Sequence, residues 1–180
     1  MNNEDFSFSF DDNLTEKPND PESFYNGILQ LKKETRREKN KLKKAILLSK
    51  SGELYRIYGD NLNSEKYLMR ALSLIDKSKN KTEYFAATFR LAHTYQKQKK
   101  FDLSKRLFNE LEILCKENDD LKKYHDYLYQ HIGKLNFDMK KYKEAMSFFK
   151  KAMKLRIVKG DNVLIDSTQL AIQVTKNKLK

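Results

Sequence analysis

The chain has 180 residues, enough to bury one continuous core, and only five Gly and two Pro, a balance that favours helix over sheet. Its 37 Lys and Arg outnumber 25 Asp and Glu, for a net charge of +12, and a single cysteine, Cys115, excludes an internal disulfide and fits a reducing, cytoplasmic setting. There is no apolar run of about eighteen residues, which excludes a membrane-spanning helix. The acidic start MNNEDFSFSF lacks the positive flank and apolar core of a secretory signal.

The charge is unevenly placed. Residues 1–23 hold seven acids and one lysine, a net of −6, so the remaining 157 residues carry +18. A body this basic attracts acidic partners, whether a protein surface or nucleic acid. Residues 1–21 contain both prolines and little core-forming periodicity, and are expected to be a disordered acidic tail. Within it Phe6, Phe8 and Phe10 alternate at period two between acids, a pattern able to dock on a partner or fold back onto the basic body.

Residues 22–40 predict an N-terminal basic helix, capped by Ser23, with Phe24, Ile28 and Leu31 as its one apolar stripe. From 31 to 44 the stretch LKKETRREKNKLKK has eight basic and two acidic residues, with nothing apolar between Leu31 and Leu42. A helix polar all round projects or bridges. Lys32, Lys33, Arg36, Arg37, Lys39, Lys41, Lys43 and Lys44 form the strongest basic patch in the chain and could grip phosphates.

From 41 to 180 the pattern becomes repetitive. Helix pairs are expected at about 41–58 with 63–78, 82–98 with 101–116, and 121–139 with 142–159. Gly160-Asp161 stops the last pair, and residues 162–178 form a C-terminal helix that caps the exposed face. In the third pair Tyr129, Ile132, Gly133, Tyr142, Ala145, Phe149, Ala152 and Leu155 share one face, with Gly133 and Ala145 permitting close approach. Leu91, Ala92, Tyr95, Phe101, Phe108, Leu111 and Leu114 occupy the same frame 41 residues earlier, and Leu48, Gly52, Tyr55, Leu68, Ala71 and Leu74 occupy it again.

That frame resembles the tetratricopeptide repeat (TPR), in the long-period form of kinesin light chains and bacterial peptide-pheromone regulators. The resemblance implies an all-α fold: an α-solenoid of about three TPR helix pairs, flanked by an N-terminal helix and a C-terminal capping helix. It further implies that the first helix of each pair lines a concave groove. Ile46, Ser49, Glu53 and Arg56 would face it from the first pair, Ala86, Phe89, His93 and Gln96 from the second, and Tyr127, Gln130, Lys134 and Phe137 from the third. Phe89, His93, Gln96, Tyr127, Gln130, Lys134 and Phe137 are the expected partner contacts, with aromatic anchors and amides suited to a peptide.

Catalytic signatures are missing: no glycine-rich phosphate loop, HExxH or paired cysteines occur, and His93, His125 and His131 are not spaced as metal ligands. The expectation is therefore a non-catalytic adaptor or regulator, without cofactor or metal, that binds a protein or peptide. The alternatives are a nucleic-acid-associated protein using the 31–44 segment, or an immunity-type binder that neutralises a toxin. Homo-oligomerisation stays open.

Overall fold

In a computed structural model, residues 6–11 and 15–180 are described. Among them two short strands, β1 (Phe8–Phe10) and β2 (Glu16–Pro18), precede eight α-helices. These are α1 (Pro21–Arg37), α2 (Lys41–Tyr58), α3 (Asn61–Leu74), α4 (Lys81–Lys97), α5 (Phe101–Glu117), α6 (His125–Asp138), α7 (Tyr142–Lys159) and α8 (Asn162–Leu179). The fold is all-α in its body, with helices packed on their sequence neighbours within each of two units.

The chain forms two compact units, one ending at Gln98 and the other running from Lys99 to Lys180. In the first, α1 packs on α2, α2 on α3, and α4 on both α2 and α3. Its core joins Phe24, Ile28 and Leu31 of α1 to Leu48, Leu54, Tyr55 and Ile57 of α2. In the second, α5 packs on α6, α6 on α7, and α8 on α7, where it caps the pair as expected. Phe108, Leu128 and Phe149 are fully enclosed there.

The turns inside the pairs explain where the helices stop. Gly59 ends α2 in the left-handed region at φ 98°, and its N–H donates to Tyr55 and Arg56 carbonyls. Lys99 (φ 59°) and Lys140 (φ 60°) stand in the same repeat position 40 and 81 residues on, and adopt the same conformation without being glycine. Close approach is built in at one further repeat position. A Cβ on Gly52 would meet Leu68 Cγ at 2.5 Å, and one on Gly133 would meet Phe149 Cδ1 at 2.6 Å. The small residues at helix-packing positions, Ser64, Ser104 and Ala145, are wholly buried.

Three expectations need correction. Residues 8–10 and 16–18 are not a disordered tail but an antiparallel pair, in register Phe8 to Pro18 and Phe10 to Glu16. The alternating Phe-Ser pattern that suited an extended strand pairs locally, and Lys17 bridges to Asp11 at 3.2 Å. Of the rest of the expected tail, residues 1–5 and 12–14 lie outside the described residues. Secondly, the 31–44 stretch is not one projecting helix. Helix α1 ends at Arg37, the Glu38 carboxylate accepts from the Asn40 N–H at 2.7 Å, and Asn40 caps α2 by accepting from Lys43 N–H. Thr35 is buried, so α1 packs for nearly its whole length. Its cap is Asp20, with Pro21 in the first turn, rather than Ser23. Thirdly, the third pair begins later than expected: residues 119–124 wind as a 3₁₀ turn before α6.

Candidate functional site

In the first unit, the first helices of two pairs, α2 and α4, present neighbouring faces, and the hairpin lies across them. Arg56, near the end of α2, donates to both Glu16 carboxylate oxygens, Nη1 to Oε2 at 2.7 Å and Nη2 to Oε1 at 3.2 Å. Both side chains are under a tenth exposed, so this is a buried bidentate ion pair. Lys97, at the end of α4, donates to the Thr15 hydroxyl at 3.2 Å. Further back, Arg90 of α4 ties the helices together by donating to Glu53 at 2.8 Å and Ser49 Oγ at 3.0 Å. Thus Ser49, Glu53 and Arg56, expected to face a groove, are already engaged within the unit.

The other end of the hairpin segment is held by packing. Phe6 fits over Gly27, where a Cβ would stand 2.6 Å from its ring, and meets Phe24 edge-on at 5.5 Å. Lys50 lies 5.5 Å from the Phe6 ring centroid. Phe8 and Phe10 remain exposed on the outer side.

The seven expected contacts divide between the units. In the first, Phe89 is half-buried, stacks on Phe85 at 6.0 Å and meets the His93 ring at a tilt, centroids 6.4 Å apart, while His93 and Gln96 are buried. In the second, Tyr127 is exposed, Lys134 and Phe137 are half-buried, and Gln130 is buried. His93, Gln96 and Gln130 therefore offer no surface to a partner, contrary to expectation. Helical periodicity put them on a face that the folded chain covers, which local sequence spacing does not reveal.

Tyr127 covers a polar network. Asp126, wholly buried on α6, receives Arg156 Nε of α7 at 3.3 Å, and also the Lys159 ammonium. Arg156 Nη1 reaches α8, donating to Leu164 carbonyl at 2.9 Å and Thr168 Oγ1 at 2.6 Å. Burial pulls the Arg156 pKa below its ordinary value, opposed by the Asp126 charge. The network joins α6, α7 and α8, and Lys159 extends it to the Lys123 carbonyl in the 3₁₀ turn before α6.

The basic patch is also divided. Lys32 and Arg36 of α1 and Lys44 of α2 line a cavity of about 380 Å³. Lys33, Arg37, Lys39, Lys41 and Lys43 are exposed and lie outside its wall. The cavity is completed by residues of α3 that were not anticipated, Lys66 and Arg70. A signal for them existed: Lys66 and Arg70 are four apart, as are Lys32 and Arg36, and each pair shares one helical face.

Among the described residues no cluster of His, Cys, Asp and Glu could hold a metal ion. Cys115 is buried, and desolvation raises its pKa to about 11, so it is a core thiol rather than a nucleophile. No described helix is long and apolar enough to cross a membrane.

No curated protein matches the chain. The tetratricopeptide repeat family model matches residues 127–156, which run from Tyr127 on α6 to Arg156 on α7. TPR repeats generally mediate protein–protein interaction and are generally non-catalytic. With that match on the pair where Gly133 meets Phe149, and the equivalent contact and turn recurring at Gly52 and Gly59, this chain is a TPR-type helical-repeat protein.

Proposed function

We propose that this protein is a non-catalytic, cytoplasmic adaptor or regulator that binds an extended acidic peptide segment of a partner on the first-helix faces of its repeats. The observation that carries this is the Glu16–Arg56 pair. An extended strand of the chain itself rests there, its carboxylate held bidentately by α2 and its neighbour Thr15 held by α4. The segment has the chemistry expected of a ligand: acidic, extended and carrying aromatic side chains. In the second unit, Tyr127, Lys134 and Phe137 of α6 are the accessible residues of the corresponding face.

Tethering makes the hairpin a competitor at high effective concentration, so an incoming peptide displaces it. A synthetic peptide of residues 6–19, fluorescently labelled, is titrated into the full chain and into a chain starting at Asp20. The truncated chain is expected to bind it, more weakly as salt rises, and the full chain to bind it poorly. Truncated protein of unchanged helix content that ignores both this peptide and an acidic peptide library would overturn the assignment.

A second use, association with nucleic acid, draws on the exposed Lys33, Arg37, Lys39, Lys41 and Lys43 around the α1–α2 junction. It predicts affinity falling with salt at a log–log slope of roughly −0.9 per phosphate contacted on duplex DNA.

A further inference from the structure

We propose that the cavity between α1, α2 and α3 is a binding site for a compact anion bearing several phosphate groups. Five cations converge on it from three helices: Lys32, Arg36, Lys44, Lys66 and Arg70. No carboxylate is among the residues lining it. Elsewhere in this unit the principal cations have partners, as Arg56 has Glu16 and Arg90 has Glu53.

Like charges gathered around a concavity repel one another and focus a positive potential into it. Helix α1 could have turned these side chains to open solvent, yet Leu31 and Thr35, both buried, fix its roll so that Lys32 and Arg36 face α3. Lys44 is held in place as its ammonium donates to the Glu38 carbonyl at 3.3 Å. Thr35, Asn63 and Tyr67 add neutral polar groups to the wall. Planar guanidinium groups pair bidentately with phosphate oxygens, and two arginines with three lysines match an anion of about four to six charges. At about 380 Å³ the space suits a triphosphate or an inositol polyphosphate and is too small for a duplex.

The site is separate from the Glu16–Arg56 face, so its test is independent of peptide binding. The full-length chain is titrated calorimetrically with sodium tripolyphosphate, with ATP and with inositol hexakisphosphate, in parallel with thermal melts. Saturable one-to-one binding and a raised melting temperature are expected, because the anion relieves the repulsion. Comparing the three probes distinguishes a nucleotide, an inositol phosphate and a free polyphosphate as the source. Lys66→Ala with Arg70→Ala, both exposed and outside the core, should weaken binding at least about tenfold. Lys33→Ala with Arg37→Ala removes the same charge outside the cavity and should weaken it less than about threefold. Equal losses in the two pairs would reduce the effect to general electrostatics and overturn the site. So would the absence of binding by all three probes at low salt.

Discussion

Gly133 on α6 sits directly against the Phe149 ring on α7, with the space of a single methyl missing between them. Phe149 is wholly buried, and protein interiors are close-packed, so the ring cannot yield without cost. Gly133→Ala is therefore expected to destabilise the second unit by about 1–3 kcal/mol despite its better helix propensity. Adding Phe149→Leu should recover part of that loss. Urea denaturation of the single and double variants checks it.

Lys140 holds a left-handed backbone that Gly59 adopts freely at the equivalent turn. For a residue with a Cβ this costs about 1–2 kcal/mol, against an entropic penalty of roughly 0.5–1 kcal/mol for glycine. Lys140→Gly should thus raise stability by about 0.5–1 kcal/mol. A lowered melting temperature would mean that the lysine side chain contributes more than its backbone conformation costs.

Arg156 joins three helices, and Asp126 has no access to water. Arg156→Met leaves that carboxylate with Lys159 as its remaining cation and removes the donor to Leu164 and Thr168. Breaking a buried pair from one side costs about 3–5 kcal/mol; the surviving lysine should hold the loss near the lower end. Hydrogen exchange should accelerate first in α8. If α8 exchanges at its original rate, Arg156 is not the tether that holds it.

Alkaline stability follows from two buried acids that are neutral when protonated. Burial, with Tyr67 nearby, pushes Tyr55 up to about 12, and burial pushes Cys115 up to about 11. Each folded-state value lies above its unfolded one, so the stabilisation is complete below the unfolded values, near 10 and 9, and disappears as pH rises through the folded ones. The urea midpoint should be steady up to about pH 9 on account of these groups and fall between about pH 9 and 12. Tyr55→Phe should flatten the upper part of that fall and Cys115→Ser the lower.

The repeat frame was readable because it depends on residues that are near in sequence: small side chains opposite large ones, spaced by helical turns. Gly52 facing Leu68 and Gly133 facing Phe149 are such pairs, and the α7 stop at Gly160 is local chemistry. The hairpin was not readable, because its anchor is forty residues away. Nothing near Glu16 distinguishes a carboxylate bound for Arg56 from one left in water. The groove was overestimated for a related reason: periodicity places His93, Gln96 and Gln130 on a face, but neighbouring helices decide whether that face is open. The basic stretch was legible as charge and not as shape, since its cavity takes Lys66 and Arg70 from another helix.

The straps on residues 15 and 16 also set an order of assembly. Glu16 is 40 positions from Arg56, and Thr15 is 82 from Lys97. During synthesis the hairpin segment emerges well before α2 and α4 exist to receive it, and closing so long a loop is slow beside forming a helix pair from adjacent sequence. Arg56 can therefore meet Glu16 only after α2 has been made, whereas α2 and α3 find each other through adjacent sequence, so the strap on the hairpin is the first unit's long-range contact and not part of its local repeat.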